Sequence, residues 1–477
     1  MALHPDQEEA LAKVDAAYAE GACGPLLCAA TGFGKTHCAV ELIHRWHLRD
    51  GQTTWFLAHL KELLDDTENR LKLGNMPYGW IRSGKPVDKS AFCQLVSLQT
   101  AVKRLNDLPR PDVVIIDECD LAVATSYQKI LDAIGRPRIL GLTGTPIRTD
   151  GRPMRAGGFD QLILTPDTID LVESGRLSRL RMWTFNPPSE LLRVTSLRGN
   201  HDEEAGVVMS RRYILDDALN HWRRLAVEPY GSPRPTAVFC HSVIAAEITA
   251  RDWRAAGFRA MAVHGNSSAD DRSEALHGLR EGRLDAVMTA DLWIAGVDIK
   301  QIACILCLRH TDSLRVWLQM VGRGLRLCDE WPDCLLLDCV GNLRNRSLGN
   351  PLARRMHLWT LDGIPKSKTS PLLPHIPYCQ NCFSCDVVGG VCRECGHRQE
   401  LRLPHGPKII EGQLMEIDAR AAIRDIEKMA RQKQRIEEEK KCKNYSDFVR
   451  LGHERGYSSP EGWARHKVQL RQRWRTK

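Results

Sequence analysis

The chain predicts an α/β fold of two tandem lobes, each a doubly wound parallel sheet, followed by a small cysteine-knuckle module and a helical tail. Three observations carry this reading. The apolar run GPLLCAA leads into a Gly-rich turn and then the amphipathic segment HCAVELIHRWHL, which reads as strand, loop and helix. A second apolar run, PDVVIIDECD from Pro111 to Asp120, ends in acids, as a buried parallel strand does when it delivers carboxylates at its C-terminal edge. From Pro235 the alternation starts again: strand TAVFCHS, helix Ala245 to Ala256, strand FRAMAVHG, helix Asp270 to Glu281, then strands LDAVMTA and CILCL.

The first turn, AATGFGKT from Ala29 to Thr36, has the chemistry of a phosphate cradle. Thr31, Gly32, Phe33 and Gly34 form the loop, and the two glycines let successive backbone N–H groups point at phosphate oxygens. Lys35 would reach the β- and γ-phosphates, and the Thr36 hydroxyl would hold Mg²⁺. Ala29 stands where the general pattern has its first glycine. In the acidic strand, Asp117 would bind Mg²⁺ through water and Glu118 would orient and deprotonate an attacking water. GLTGTP, Gly141 to Pro146, follows the short strand RIL and offers the hydroxyls of Thr143 and Thr145.

These motifs, with TADLWIAGVDI and QMVGRGLR further on, resemble in order the DEAD/DEAH-like helicases of superfamily 2. The resemblance covers roughly residues 1–345 and is to bacterial and prophage members with a zinc-binding tail. It implies two RecA-like lobes and a nucleic-acid-dependent ATPase that uses ATP and Mg²⁺. It makes Gln7, in HPDQEEAL, the residue that reads adenine. His59, Gln99 and Thr289 become strand-contacting or coupling positions with Thr143 and Thr145. Leu60 stands where the family carries Arg, so that phosphate contact is missing or falls to Lys61. Gly296 and Asp298 lie in the segment that touches nucleic acid and ribose. Gln319, Arg323 and Arg326 complete the ATP site from the second lobe, the two arginines as fingers. They lie three apart on a helix and can share a face.

YCQNCFSCDVVGGVCRECGH, Tyr378 to His397, holds five cysteines in knuckle spacing, a strong signal for a closed structural Zn²⁺ site. Cys379, Cys382, Cys392 and Cys395 are the preferred ligands, and a set using Cys385 in place of Cys379 is the alternative. The other cysteines are scattered through core segments, which suits reduced thiols. With no apolar run long enough to span a bilayer, the expectation is a soluble cytoplasmic protein with no membrane partner.

Residues 401–477 carry 19 Lys+Arg against 11 Asp+Glu, which accounts for the whole formal charge of +8. Glu411 to Lys441 reads as one long helix, and the segment after it as helix–turn–helix, with Gly456 ending the first helix and Ser459-Pro460-Glu461 starting the second. Trp463, Trp474, Arg471, Arg473 and Arg475 offer a surface for nucleic-acid backbone; a solvated helical pair is the equal alternative. The expected boundaries are 1–184 for the first lobe, 185–234 for a connector, 235–365 for the second lobe, 376–400 for the zinc ribbon and 408–477 for the tail.

The function expected is an ATP-dependent helicase or translocase, with DNA favoured over RNA by the overall look. An RNA-dependent ATPase, or a motor subunit of a restriction, recombination or defence assembly, is the alternative. A protein partner could bind through the zinc module or the tail. A pure binding module fits poorly, because Lys35, Asp117, Glu118, Arg323 and Arg326 are all present.

Overall fold

The structure, a computed structural model, describes residues 3–475 apart from 106–107, 123–124, 149–151, 186–211, 291–300, 329, 346–347, 363–376, 399–441, 443–444 and 458. It divides into two units, Met1–Glu400 and Leu401–Lys477.

The first unit opens with α1 (Pro5–Ala19), β1 (Pro25–Cys28), α2 (Lys35–Asp50), β2 (Thr54–Ala58), α3 (Lys61–Leu73), β3 (Gly79–Ile81) and β4 (Cys93–Ser97). The single turn α4 (Leu98–Ala101), β5 (Val113–Asp117), α5 (Thr125–Ala133), β6 (Arg138–Thr143), β7 (Gln161–Leu164) and α6 (Thr168–Glu173) complete this lobe. Its strands pair in parallel in the order β3-β4-β2-β5-β6-β1-β7. Every residue of β1, β2 and β5 is buried, as a parallel sheet covered on both faces requires. The loops after β1 and β5 leave the sheet at its C-terminal edge, where such sheets bind ligands.

A second sheet is built from β8 (Arg179–Thr184), β9 (Thr236–Cys240), β10 (Ala260–Val263), β11 (Ala286–Thr289), β12 (Cys304–Leu308) and β13 (Asp333–Asp338). Its order is β10-β11-β9-β12-β13-β8, again all parallel. The helices of this half are α7 (Arg212–Trp222), α8 (Val243–Ala255), α9 (Ala269–Arg280) and α10 (Leu314–Gly322). The sequence placed the end of the first lobe at residue 184, and the structure corrects this. Strand β8 pairs along its whole length with β13, so the chain crosses between sheets before Arg179. A strand's own residues set its faces but not its neighbours, and only pairing assigns it to a sheet.

The cysteine-knuckle segment docks on the outer edge of β8. Cys385 N donates to Met182 O at 2.7 Å, Thr184 N donates to Phe383 O at 3.1 Å, and Ser384 bridges Trp183 in antiparallel sense. Arg181 grips Glu394 at 2.7 Å. An open strand edge is thereby covered. The knuckle's own hairpin is β14 (Val387–Val388) with β15 (Val391–Cys392).

In the second unit, α11 (Tyr445–Glu454) and α12 (Pro460–Arg475) form a helical pair around Phe448, Leu451 and Ala464. The turn between them uses Gly456 at φ +65°. The long helix expected over Glu411–Lys441 lies outside the described residues, as do the side chains of Arg471, Arg473, Trp474 and Arg475. Among the described residues no helix is long and apolar enough to cross a membrane.

Candidate active site

The phosphate loop forms as its residues dictate. Gly32 and Gly34 take left-handed backbone, φ +87° and +99°, which L side chains rarely adopt, and α2 begins immediately after Gly34. Phe33 is buried beneath the loop, and its carbonyl accepts N–H bonds from Gln7 Nε2 at 2.6 Å and from Arg176 at 3.2 Å. Lys35 Nζ donates to the Ala29 carbonyl at 3.2 Å. The Thr143 hydroxyl and the Thr145 backbone bond one another directly behind this loop, with Ala29 N donating to Thr143 O at 2.9 Å. Both threonine side chains are buried, so neither offers its hydroxyl to an outer surface.

A cavity of about 460 Å³ lies over the loop. From the first lobe it is lined by Thr31, Gly32, Gly34, Lys35, Thr36, Asp117 and Glu118; from the second lobe it is lined by Gln319, Arg323 and Arg326. This size suits a small ligand. Asp117 is fully enclosed, and burial, aided by the neighbouring Glu118, pushes its carboxyl above the ordinary range. Glu118 sits in left-handed backbone at φ +49° just past β5, which turns its side chain across the cleft. There its Oε2 lies 3.4 Å from Gln319 Nε2 and 3.6 Å from Arg315. The lobes meet closely at this point: a Cβ on Gly322 would lie 2.4 Å from Thr31 Cγ2.

The remaining expected positions are more scattered. Gln7 is buried against the loop, its Oε1 accepting from His4 N at 2.9 Å, and it lies outside the cavity lining. Gln99 is exposed and donates to His59 O at 2.8 Å, which puts these two together at the ends of β2 and β4. Thr289 is buried at the end of β11. Gly296 and Asp298 lie outside the described residues. Sequence reasoning missed Asp66, Arg70, Arg176 and Leu177, which also line the cavity, and Arg315, which pairs with Asp120 at 2.9 Å. Asp66 and Arg70 are an i,i+4 ion pair at 3.1 Å, a spacing visible in the sequence.

In the knuckle, the Sγ atoms of Cys379, Cys382, Cys392 and Cys395 all lie within 4.8 Å of one another. The pairs Cys379–Cys395 and Cys382–Cys392 are each 3.6 Å apart. Thiolates tetrahedral about Zn²⁺ at about 2.3 Å stand roughly 3.8 Å apart, so the donor set fits. Cys385 is not part of this cluster and packs against the core of the second sheet. The alternative ligand set is therefore corrected: the backbone pairing that holds residues 383–385 on β8 turns Cys385 inward.

Residues 1–148 match the family described as type III restriction enzyme, res subunit, and residues 220–328 match the helicase conserved C-terminal domain. These two stretches hold Lys35, Asp117, Glu118, Gln319, Arg323 and Arg326. The chain belongs to the superfamily 2 helicases. As a superfamily 2 helicase it carries that family's ATP-hydrolysing motor. It is 23% identical over 386 residues to a 51.5 kDa protein of a Lactococcus phage (isolate 7-9), covering 80% of each chain. It is 25% identical to the putative mitochondrial ATP-dependent helicase irc3 of Schizosaccharomyces pombe, over 72% of this chain and 58% of that one. Among solved structures, the fragment of a putative HsdR subunit of a type I restriction enzyme from Vibrio vulnificus aligns with TM-score 0.56 at 19% identity, over 76% of this helicase and 67% of that chain. The type ISP restriction-modification enzyme LlaBIII bound to DNA aligns with TM-score 0.54 at 14% identity, over 71% of this helicase and 28% of that chain. At these identities the structural likenesses speak for the fold.

Proposed function

We propose that this chain is an ATP-driven translocase or helicase that acts on DNA. The observation that supports it most is the shared cavity. Gln319, Arg323 and Arg326 reach it from one lobe, Lys35, Thr36, Asp117 and Glu118 from the other, so the full set of charges exists only while the lobes are together. Lys35 and the N–H groups of the loop bind the β- and γ-phosphates. Thr36 and Asp117 would hold Mg²⁺, which when bound supplies positive charge to the phosphate oxygens. Glu118 takes a proton from the attacking water, and Gln319 fixes the Glu118 carboxylate through its 3.4 Å contact. Arg323 and Arg326 stabilise charge on the γ-phosphoryl oxygens, a role that contributes roughly 10³–10⁵ in rate in other NTPases. Loss of the γ-phosphate removes what holds the lobes together, and a strand lying across both would be gripped differently in the two states.

DNA is chosen because the restriction-enzyme relatives of this fold include one whose structure is of the DNA-bound form. The helical tail adds a second contact in this reading. The Trp463 ring has Arg455 at 5.6 Å, Lys467 at 5.7 Å and Tyr457 at 5.0 Å, the aromatic-and-cation grouping on which bases stack. The Cys379, Cys382, Cys392 and Cys395 cluster takes a structural Zn²⁺ that braces the second lobe.

The test is ATP hydrolysis by the full chain, alone and with single-stranded DNA, duplex DNA or RNA, beside Glu118→Gln. Stimulation by DNA that disappears in Glu118→Gln is the expected result. Stimulation by RNA alone would overturn the substrate, and no hydrolysis with any of them would overturn the motor.

A further inference from the structure

One charged side chain of the second lobe reaches the acidic turn without lining the nucleotide cavity. Arg315 lies on the first turn of α10, four residues before Gln319, so the two share a helix face. Its Nε is 2.9 Å from Asp120 Oδ2 and its terminal nitrogen is 3.6 Å from Glu118 Oε2. Both acids belong to the turn after β5 in the other lobe. A single guanidinium thus bridges two carboxylates across the cleft, in a site where Asp120 is 4% exposed and Arg315 19%. We infer that Arg315 is a positioning residue, which sets the Glu118 carboxylate by anchoring its turn at Asp120 when the second lobe closes.

Glu118 sits in left-handed backbone, a conformation that costs a non-glycine residue free energy and persists only where its surroundings hold it. The surroundings on offer are Asp117, whose Oδ1 accepts from Glu118 N at 3.0 Å, and the two contacts from α10. Arg315 supplies the only one of those α10 contacts that also grips the next acid along the chain. Opening the cleft withdraws it from Asp120 and Glu118 together. Closure would therefore report directly on the group that activates water. Arg148, also beside this turn, donates to the Asp120 carbonyl from the same lobe as Asp120 and cannot carry that signal.

The inference rests on the proposed role of Glu118, and the experiment separates the two. Nucleic-acid-stimulated hydrolysis is measured for the wild type, Arg315→Ala, Arg315→Lys, Asp120→Asn and the double variant Arg315→Ala/Asp120→Asn, with thermal unfolding of each. Arg315→Ala should lower kcat on the order of tenfold to a hundredfold, the scale of a misplaced catalytic group, with KM for ATP nearly unchanged. Arg315→Lys should recover only part, since an ammonium cannot span both carboxylates as the planar fork does. In the Asp120→Asn background the Arg315→Ala loss should shrink severalfold, as for two members of one unit. A folded Arg315→Ala with wild-type kcat, a full rescue by Lys, or additive losses in the double variant would each overturn the inference. An inactive wild type would instead fail the motor reading, and this one with it.

Discussion

At the scale of single residues, the site depends on atoms that are absent as much as on those present. Gly322 ends α10 against the phosphate loop, and an added Cβ would lie 2.4 Å from Thr31 Cγ2 and 2.7 Å from Thr31 Cβ. Threonine is stiff at χ1, so it cannot swing away cheaply. Gly322→Ala should therefore hold the lobes apart, lowering kcat by about tenfold or more while leaving ATP binding by the first lobe nearly intact; unaltered turnover would refute the close approach. Arg176 works on the same loop from its other side. It bonds the Phe33 carbonyl and stacks over that ring at 5.4 Å, and it is paired with Asp6 of α1. Arg176→Ala should raise KM for ATP severalfold with a smaller change in kcat, as measured by initial rates, because it loosens the binding loop and touches no water-activating group. Most of the site was legible in the sequence where function is written in contiguous residues, as in Ala29–Thr36 and Gln319–Arg326. Arg176 was not, because its partner Asp6 lies 170 positions away. Arg315 could have been found, since a helix places it on the face of Gln319.

At the scale of elements, periodicity located the strands and helices around the motifs, and the structure supplied the rest. Segments expected as helices over 245–256 and 270–281 appear as α8 and α9, one or two residues earlier. β8 (RLRMWT), not picked out as a strand from the sequence, shows what pattern cannot supply: only its register against β13 makes it an edge of the second sheet. That edge gives the cysteine knuckle its structural consequence. Two backbone bonds tie residues 383–385 to β8, each contributing about 1 kcal/mol. With the proposed Zn²⁺ holding the knuckle, Cys392→Ser or treatment with a chelator should release them, lowering Tm by roughly 4–8 °C for a loss of about 2 kcal/mol in a lobe of this size. The bared edge should also raise light scattering on warming. Cys385→Ala should leave one metal per chain by elemental analysis, because Cys385 stands outside the cluster; a metal-free Cys385→Ala protein would contradict the assignment.

At the scale of the whole first unit, the second sheet does not end the fold. After β13 the chain returns to the first lobe: Met356, Trp359 and Leu361 join the hydrophobic core of the first sheet. Asp167 receives the strap, its Oδ1 accepting from Arg355 N at 2.7 Å and Met356 N at 3.0 Å, and Met154 N donates to Leu361 O at 2.7 Å. Arg354 pairs with Asp170 and Arg155 with Asp362 at 2.7 Å, both of them exposed pairs that contribute little. The anchor is therefore Asp167, a charged acceptor for two backbone donors that also caps α6. Two lobes joined both by the crossing before Arg179 and by this strap have a limited opening range, which in the proposed cycle keeps Arg323 and Arg326 near the cleft. Asp167→Ala removes a charged acceptor and a helix cap, a loss of about 2–4 kcal/mol. It should make the strap, residues 348–362, the first site of limited proteolysis and shift Trp359 fluorescence toward that of an exposed indole. Because an unleashed second lobe must search a larger volume before Arg323 and Arg326 reach the cavity, kcat should fall further than the residual stability alone explains. If the strap is a passive cover, the fluorescence will shift while turnover per folded molecule stays at the wild-type value.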